Sequence, residues 1–157
     1  MVASAKSRLG VNSFWTGNFA EAATGYQQVR HNGMTISKSL GLIGPWHTVR
    51  ALNDGFLGYL DRCRKALAEI VLHARGDSDI HIHFVAFALT HHACSHLLAG
   101  DELMAQSSAD EAIAPSEEYG FEERAAIARC IRGIALAERE LLDEGISEIQ
   151  KGSLHLG

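Results

Sequence analysis

The chain is predicted to be all-α, a single domain over residues 1–157 built from about four stacked helical hairpins, and three observations predict it. The first is composition: 46% of the residues are hydrophobic and 21% charged, Ala, Leu and Glu abound, only 2 residues are proline, and alternating β-branched runs are scarce. Such a chain can bury a core, and its residues favour helix over strand. The second observation is a repeat. TGNFAEA at 16–22, LGYLDRC at 57–63, AGDELMA at 99–105 and RELLDEG at 139–145 recur with a period of about 41 residues, the signature of a helical array. The third is the placement of small residues within each copy. Counting from the anchors Gly17, Gly58, Gly100 and Glu140, the residue five places on is Ala22, Cys63, Ala105 or Gly145, and the residue seven places back is Gly10, Ala51, Ala93 or Gly133. Two helices approach closely only where their side chains are small, and a glycine supplies the backbone freedom that ends a helix. Each copy therefore reads as a helix, a turn at the anchor, and a returning helix.

Taken in order, eight helices are expected over 2–15, 19–31, 46–55, 60–75, 80–98, 102–118, 122–138 and 142–155, paired as hairpins over 2–31, 46–75, 80–118 and 122–155. The second helix of each pair repeats apolar or small residues on one face, at Tyr26 and Val29, Leu67 and Ile70, Ala109 and Ala112, and Ile149 and Gly152. Acidic residues open the same helices at Glu21, Asp61, Glu102 and Asp143, where they complement the helix dipole. Two departures stand out. The stretch 32–45 is looser and glycine-rich, and Glu140 replaces the expected turn glycine. With no polar capping helix at either end, the last hairpin would expose residues drawn from Ile146, Ile149, Leu154 and Leu156. A homodimer formed end to end through that hairpin, or membership of a longer array, is expected from such a face.

The net charge of −5 is split unevenly, +3 over residues 1–98 and −8 over 99–157. No basic stripe is present, so nucleic acid is not an expected partner. No apolar run approaches the ~20 residues that cross a bilayer, and the first residues, MVASAKSRLG, lack a signal-peptide core. A cytoplasmic location away from membranes is the expectation. Cys63, Cys94 and Cys130 are odd in number, far apart and without a CxxC spacing, which points to neither a disulfide framework nor a zinc ribbon.

The pattern of small residue, turn glycine, aromatic or acidic residue and again small residue resembles a tetratricopeptide repeat, here with longer helices than the ~34-residue form. The stretch 87–152, FALTHHACSHLLAGDELMAQ through GISEIQKG, is also similar to the long-hairpin repeats C-terminal to the ATPase modules of bacterial signalling proteins, of cyclase-linked and transcription-regulator types. The resemblance implies a short right-handed superhelix, an α-solenoid whose concave side is lined by the first helix of each hairpin. The groove residues it implies are Val11, Phe14, Trp15, Leu52, Phe56, Phe87, Cys94, Leu97, Ile127 and Ile134. It further implies a non-catalytic scaffold that binds a protein or peptide segment in an apolar groove, as a regulatory module of a bacterial signalling system. A small-ligand sensor using the same groove is the alternative.

Reactive constellations are sparse. Five of the nine histidines, His81, His83, His91, His92 and His96, fall within sixteen residues, and His92 and His96 share a helical face at a spacing that suits metal ligands. No glutamate accompanies them as in HExxH, and Cys94 points away, so packed or solvated histidines are expected rather than a metal-dependent enzyme centred on this cluster. His81 and His83 are expected at the solvated start of the fifth helix. The cysteines occupy packing positions, and no GxSxG, GxxxxGK[ST] or GxGxxG is present. The sequence therefore assigns no catalytic residue, no metal and no cofactor.

Overall fold

Five near-identical turns set the architecture. In each, a helix ends at a residue of left-handed backbone: Gly17 at φ 80°, Gly58 at 88°, Gly100 at 70°, Gly120 at 72° and Glu140 at 64°. That residue donates its N–H to a carbonyl three places back, and the next residue donates to one five places back. Examples are Gly100 to Leu97 with Asp101 to His96, and Glu140 to Ala137 with Leu141 to Leu136. This is the Schellman closure, which satisfies the orphan carbonyls of a helix end and reverses the chain in three residues.

The computed structural model describes residues 2–31, 45–76 and 80–155. They form eight helices: α1 (Val2–Trp15), α2 (Phe19–His31), α3 (Pro45–Phe56), α4 (Leu60–Gly76), α5 (Ile82–Leu98), α6 (Glu102–Glu118), α7 (Glu122–Glu138) and α8 (Leu142–Ser153). Among the described residues there is no strand, so the chain is all-α. The eight expected helices are all present, with ends shifted by at most two residues. The glycine-rich stretch 32–45 lies, apart from Pro45, outside the described residues, as do Leu156 and the side chain of Val29. Helix α5 starts at Ile82 rather than 80 because His81 is its N-cap, its Nδ1 accepting the His83 N–H at 3.1 Å. Helix α8 ends at Ser153 rather than 155, with Leu154 as its cap.

All eight small positions of the repeat are buried, and their neighbours explain why they are small. Gly10 lies against the Tyr26 ring, and a Cβ there would sit 2.8 Å from it. Gly133 and Gly145 face each other across α7 and α8, each placed so that a Cβ would come within 2.6 Å of the other's carbonyl oxygen. Seven residues further on, a Cβ at Gly152 would likewise come within 2.6 Å of the Ala126 carbonyl oxygen. The α7–α8 contact is thus backbone against backbone.

Consecutive helices touch throughout, and so do α1 with α3, α3 with α5, and α5 with α7. Among the described residues no two even-numbered helices approach backbone to backbone, although Arg75 of α4 pairs with Glu111 of α6, and the backbones of α1 and α2 come near neither α7 nor α8. Polar links tie the last two hairpins together. Arg129 pairs with Glu117 of α6 and with Glu148 of α8 at 3.1 Å, and Arg132 with Asp110 at 3.1 Å and Glu148 at 3.2 Å. Burial alone would raise the Glu148 carboxyl, but the hydrogen bond from Lys151 and the charges of Arg132, Lys151 and Arg129 hold it below the usual carboxylate range.

Glu140 carries a cost that its four glycine counterparts avoid, because a left-handed backbone is strained for a residue with a Cβ. Glu140→Gly is expected to stabilise the chain by about 1 kcal/mol, read as a rise in the urea midpoint without a change in slope.

Candidate functional site

Four helices converge on one trough. The odd-numbered row supplies Phe14 and Trp15 from α1, Leu52 and Phe56 from α3, Thr90, His91 and Cys94 from α5, and Arg124, Ile127 and Ile131 from α7, with Gly17 and Phe19 at one end. The trough encloses about 370 Å³ and is open along one side rather than sealed. The helical period explains the lining: Arg124, Ile127 and Ile131 are three and four residues apart and so share one face of α7, as do Thr90 or His91 and Cys94 on α5.

One end is aromatic. Phe14 meets Trp15 edge-on at 5.1 Å between ring centres, and Phe19 stacks on Phe56 at 4.8 Å with their planes 5° apart. Phe14 is buried beneath this group, whereas Trp15 is 63% exposed and Phe56 43% exposed, so these two rings form the accessible lip. The opposite wall carries Arg124, the single charged side chain among the lining residues. Its guanidinium lies 5.3 Å above the Phe87 ring and pairs with exposed Glu123 at 2.6 Å. Its side chain is otherwise largely covered, which strengthens its pull on an anion.

His91 is buried beside it. Its Nδ1 is 2.8 Å from the Phe87 carbonyl oxygen and its ring 4.2 Å from the Phe87 ring. Burial, and after it the Arg124 charge, lowers its pKa to about 4 despite the carbonyl contact, so His91 is neutral at pH 7. Burial also pushes the Cys63 and Cys94 thiols up to about 11, which leaves them protonated and poor nucleophiles near neutrality.

Of the ten groove residues expected from the resemblance, Phe14, Trp15, Leu52, Phe56, Cys94 and Ile127 line this trough. The other four lie elsewhere. Val11 packs against the main core cluster, Leu97 against the smaller cluster of Ala93, Ala109 and Ile131, and Phe87 is buried under Arg124 and His91. Ile134 is 39% exposed outside the trough. Phe19, Thr90, His91, Arg124 and Ile131 were not expected there. Arg124 and Ile131 could have been found from their helical register with Ile127.

The other four histidines of the 81–96 cluster sit apart from the trough. His81 and His83 are exposed, as expected, with His83 edge-on to Phe121 at 4.8 Å. His92 and His96 project from α5 toward α4 and α6, with their Nε2 atoms 3.2 Å apart. Among the described residues no three His, Cys, Asp or Glu side chains gather as a metal site. None of their helices is long and apolar enough to cross a membrane. Set against the known protein families and against curated proteins, this chain matches none of them.

Proposed function

We propose that the chain is a tetratricopeptide-like, right-handed α-solenoid acting in the cytoplasm as a non-catalytic interaction scaffold, a regulatory module of a bacterial signalling system. It holds a protein segment in the trough between its odd-numbered helices. The observation that carries the reading is the trough itself. It is open, apolar over most of its lining, fed by four separate helices, and edged by two aromatic rings, Trp15 and Phe56, that remain 63% and 43% exposed. Exposed aromatics beside a desolvated seat are the usual anchors of a peptide interface, and an open trough suits an extended or helical segment. The contact order of the helices supports the solenoid: odd helices in a row, neighbours only, first and last pairs apart.

Selection of displayed random peptides on the folded chain tests this. Enrichment of apolar segments is expected, and a Trp15→Ala/Phe56→Ala chain is expected to bind the selected peptides about 10-fold or more weakly. Equal binding by both chains would remove the trough as the site. The volume of about 370 Å³ favours one further reading, a small apolar ligand, since it falls in the range of small-molecule sites. In that case an apolar naphthylamine dye would bind with Trp15 and Phe56 dependence while no peptide is enriched.

A further inference from the structure

On the side of α5 turned away from the trough, His92 and His96 make an arrangement that packing alone does not require. One turn apart on the helix, they bring their Nε2 atoms to 3.2 Å from each other. Each ring is held from behind by a different residue. His92 Nδ1 is 3.3 Å from the Ser108 hydroxyl of α6, and His96 Nδ1 is 3.4 Å from Asp101 Oδ2. The Ser108 hydroxyl can accept a hydrogen bond from His92 Nδ1–H, and Asp101 Oδ2 stands within ion-pair reach of His96 Nδ1 without hydrogen-bonding it. With both protons on Nδ1, both Nε2 atoms keep a free lone pair at their 3.2 Å separation. At the ~2.05 Å typical of a metal–imidazole bond, a separation of 3.2 Å corresponds to an N–M–N angle of about 103°, close to tetrahedral.

We propose that His92 and His96 form an exchangeable site for a late first-row divalent cation, of the Ni2+, Cu2+ or Zn2+ class, with water completing its coordination. Imidazole suits these ions rather than Mg2+ or Ca2+. Asp101 behind His96 is the carboxylate that a metal-bound histidine ordinarily has as its outer partner, fixing the tautomer and raising ligand basicity. The charges around the pair are balanced. Arg75 is paired with Glu111, and Arg64 lies 3.4 Å from Asp61 and 3.8 Å from Asp101. The site is reached through His92, which is only partly covered. It joins α5 to α6 and the start of the following turn, so an ion there would tighten the third hairpin.

Titration of the purified chain with Zn2+ alone, followed by calorimetry and by the imidazole NMR signals, tests the site. One equivalent is expected to bind, raise the thermal midpoint and shift the His92 and His96 ring signals. His92→Ala and His96→Ala should each weaken binding more than 10-fold. Asp101→Asn keeps an N-cap for α6 but removes the carboxylate, and should weaken binding about 10-fold. His81→Ala/His83→Ala removes the cap of α5 but should leave the Zn2+ affinity and stoichiometry unchanged. Unshifted His92 and His96 signals in the unaltered chain, or Zn2+ binding that survives in His92→Ala/His96→Ala, would overturn the proposal without reference to whether any variant folds less well.

Discussion

Gly133→Ala is expected to destabilise the chain by about 2 kcal/mol or more, even though alanine returns roughly 1 kcal/mol of helix propensity. The added methyl would stand 2.6 Å from the Gly145 carbonyl oxygen, 2.7 Å from Ile149 Cγ1 and 3.0 Å from the Ile149 nitrogen. Two of those three atoms are backbone and cannot rotate away, so α8 must lift off α7 as a unit. Urea unfolding measures the loss. Hydrogen exchange should localise it, with α8 amides losing protection while those of α3 to α5 keep theirs. Gly76→Ala is the control, because a Cβ there meets nothing within 4 Å. Equal effects at positions 133 and 76 would show that the α7–α8 contact is looser than described.

The second large effect is acid sensitivity well above the carboxylate range. An imidazole in the unfolded chain takes its proton near 6.5, whereas burial holds His91 and His92 at about 4 in the fold. Between those values protons bind the unfolded chain preferentially. Stability is therefore full above about pH 6.5, falls as the pH drops toward 4, and levels off below that, where both states are protonated. The shift at His91 alone, from 6.5 to about 4, corresponds to about 3 kcal/mol. Denaturant titrations at stepped pH should show this slope, and His91→Gln should flatten it. A constant midpoint from neutral pH down to 5 would contradict the burial of both rings. Glu148 acts in a separate window. Its lowered carboxyl contributes stability that is lost only as the pH falls through the acid range below its usual value.

The helices were readable because their punctuation is chemical. Glycines with positive φ stand at three of the four repeat anchors, and Glu140 adopts the same backbone at the fourth. The frame of about 41 residues, however, passes over a turn of the same kind at Gly120, between hairpins. With it included, Gly100, Gly120 and Glu140 mark a step of 20 residues, one helix and its turn. The trough was half readable. Of the groove residues implied by the repeat resemblance, Phe14, Leu52, Cys94 and Ile127 lie along the trough, and helical period accounts for neighbours three and four residues apart sharing that face. It does not tell how far a side chain from the next helix reaches. Phe87 shares the inward face of α5, yet the Arg124 guanidinium from α7 covers it. An arginine near a helix start looks solvated in sequence, and only its register with Ile127 and Ile131 reveals its role. The 3.2 Å approach of His92 and His96 needed coordinates, because a spacing of four residues gives a shared helical face and not a distance between ring atoms.

The order of contacts has a consequence for a guest. Phe14 and Trp15 of α1 and Arg124 of α7 line the same trough, although among the described residues the backbones of α1 and α7 do not meet. A guest that reached from the aromatic lip to the guanidinium would therefore join two elements that the fold itself connects only through the helices between them.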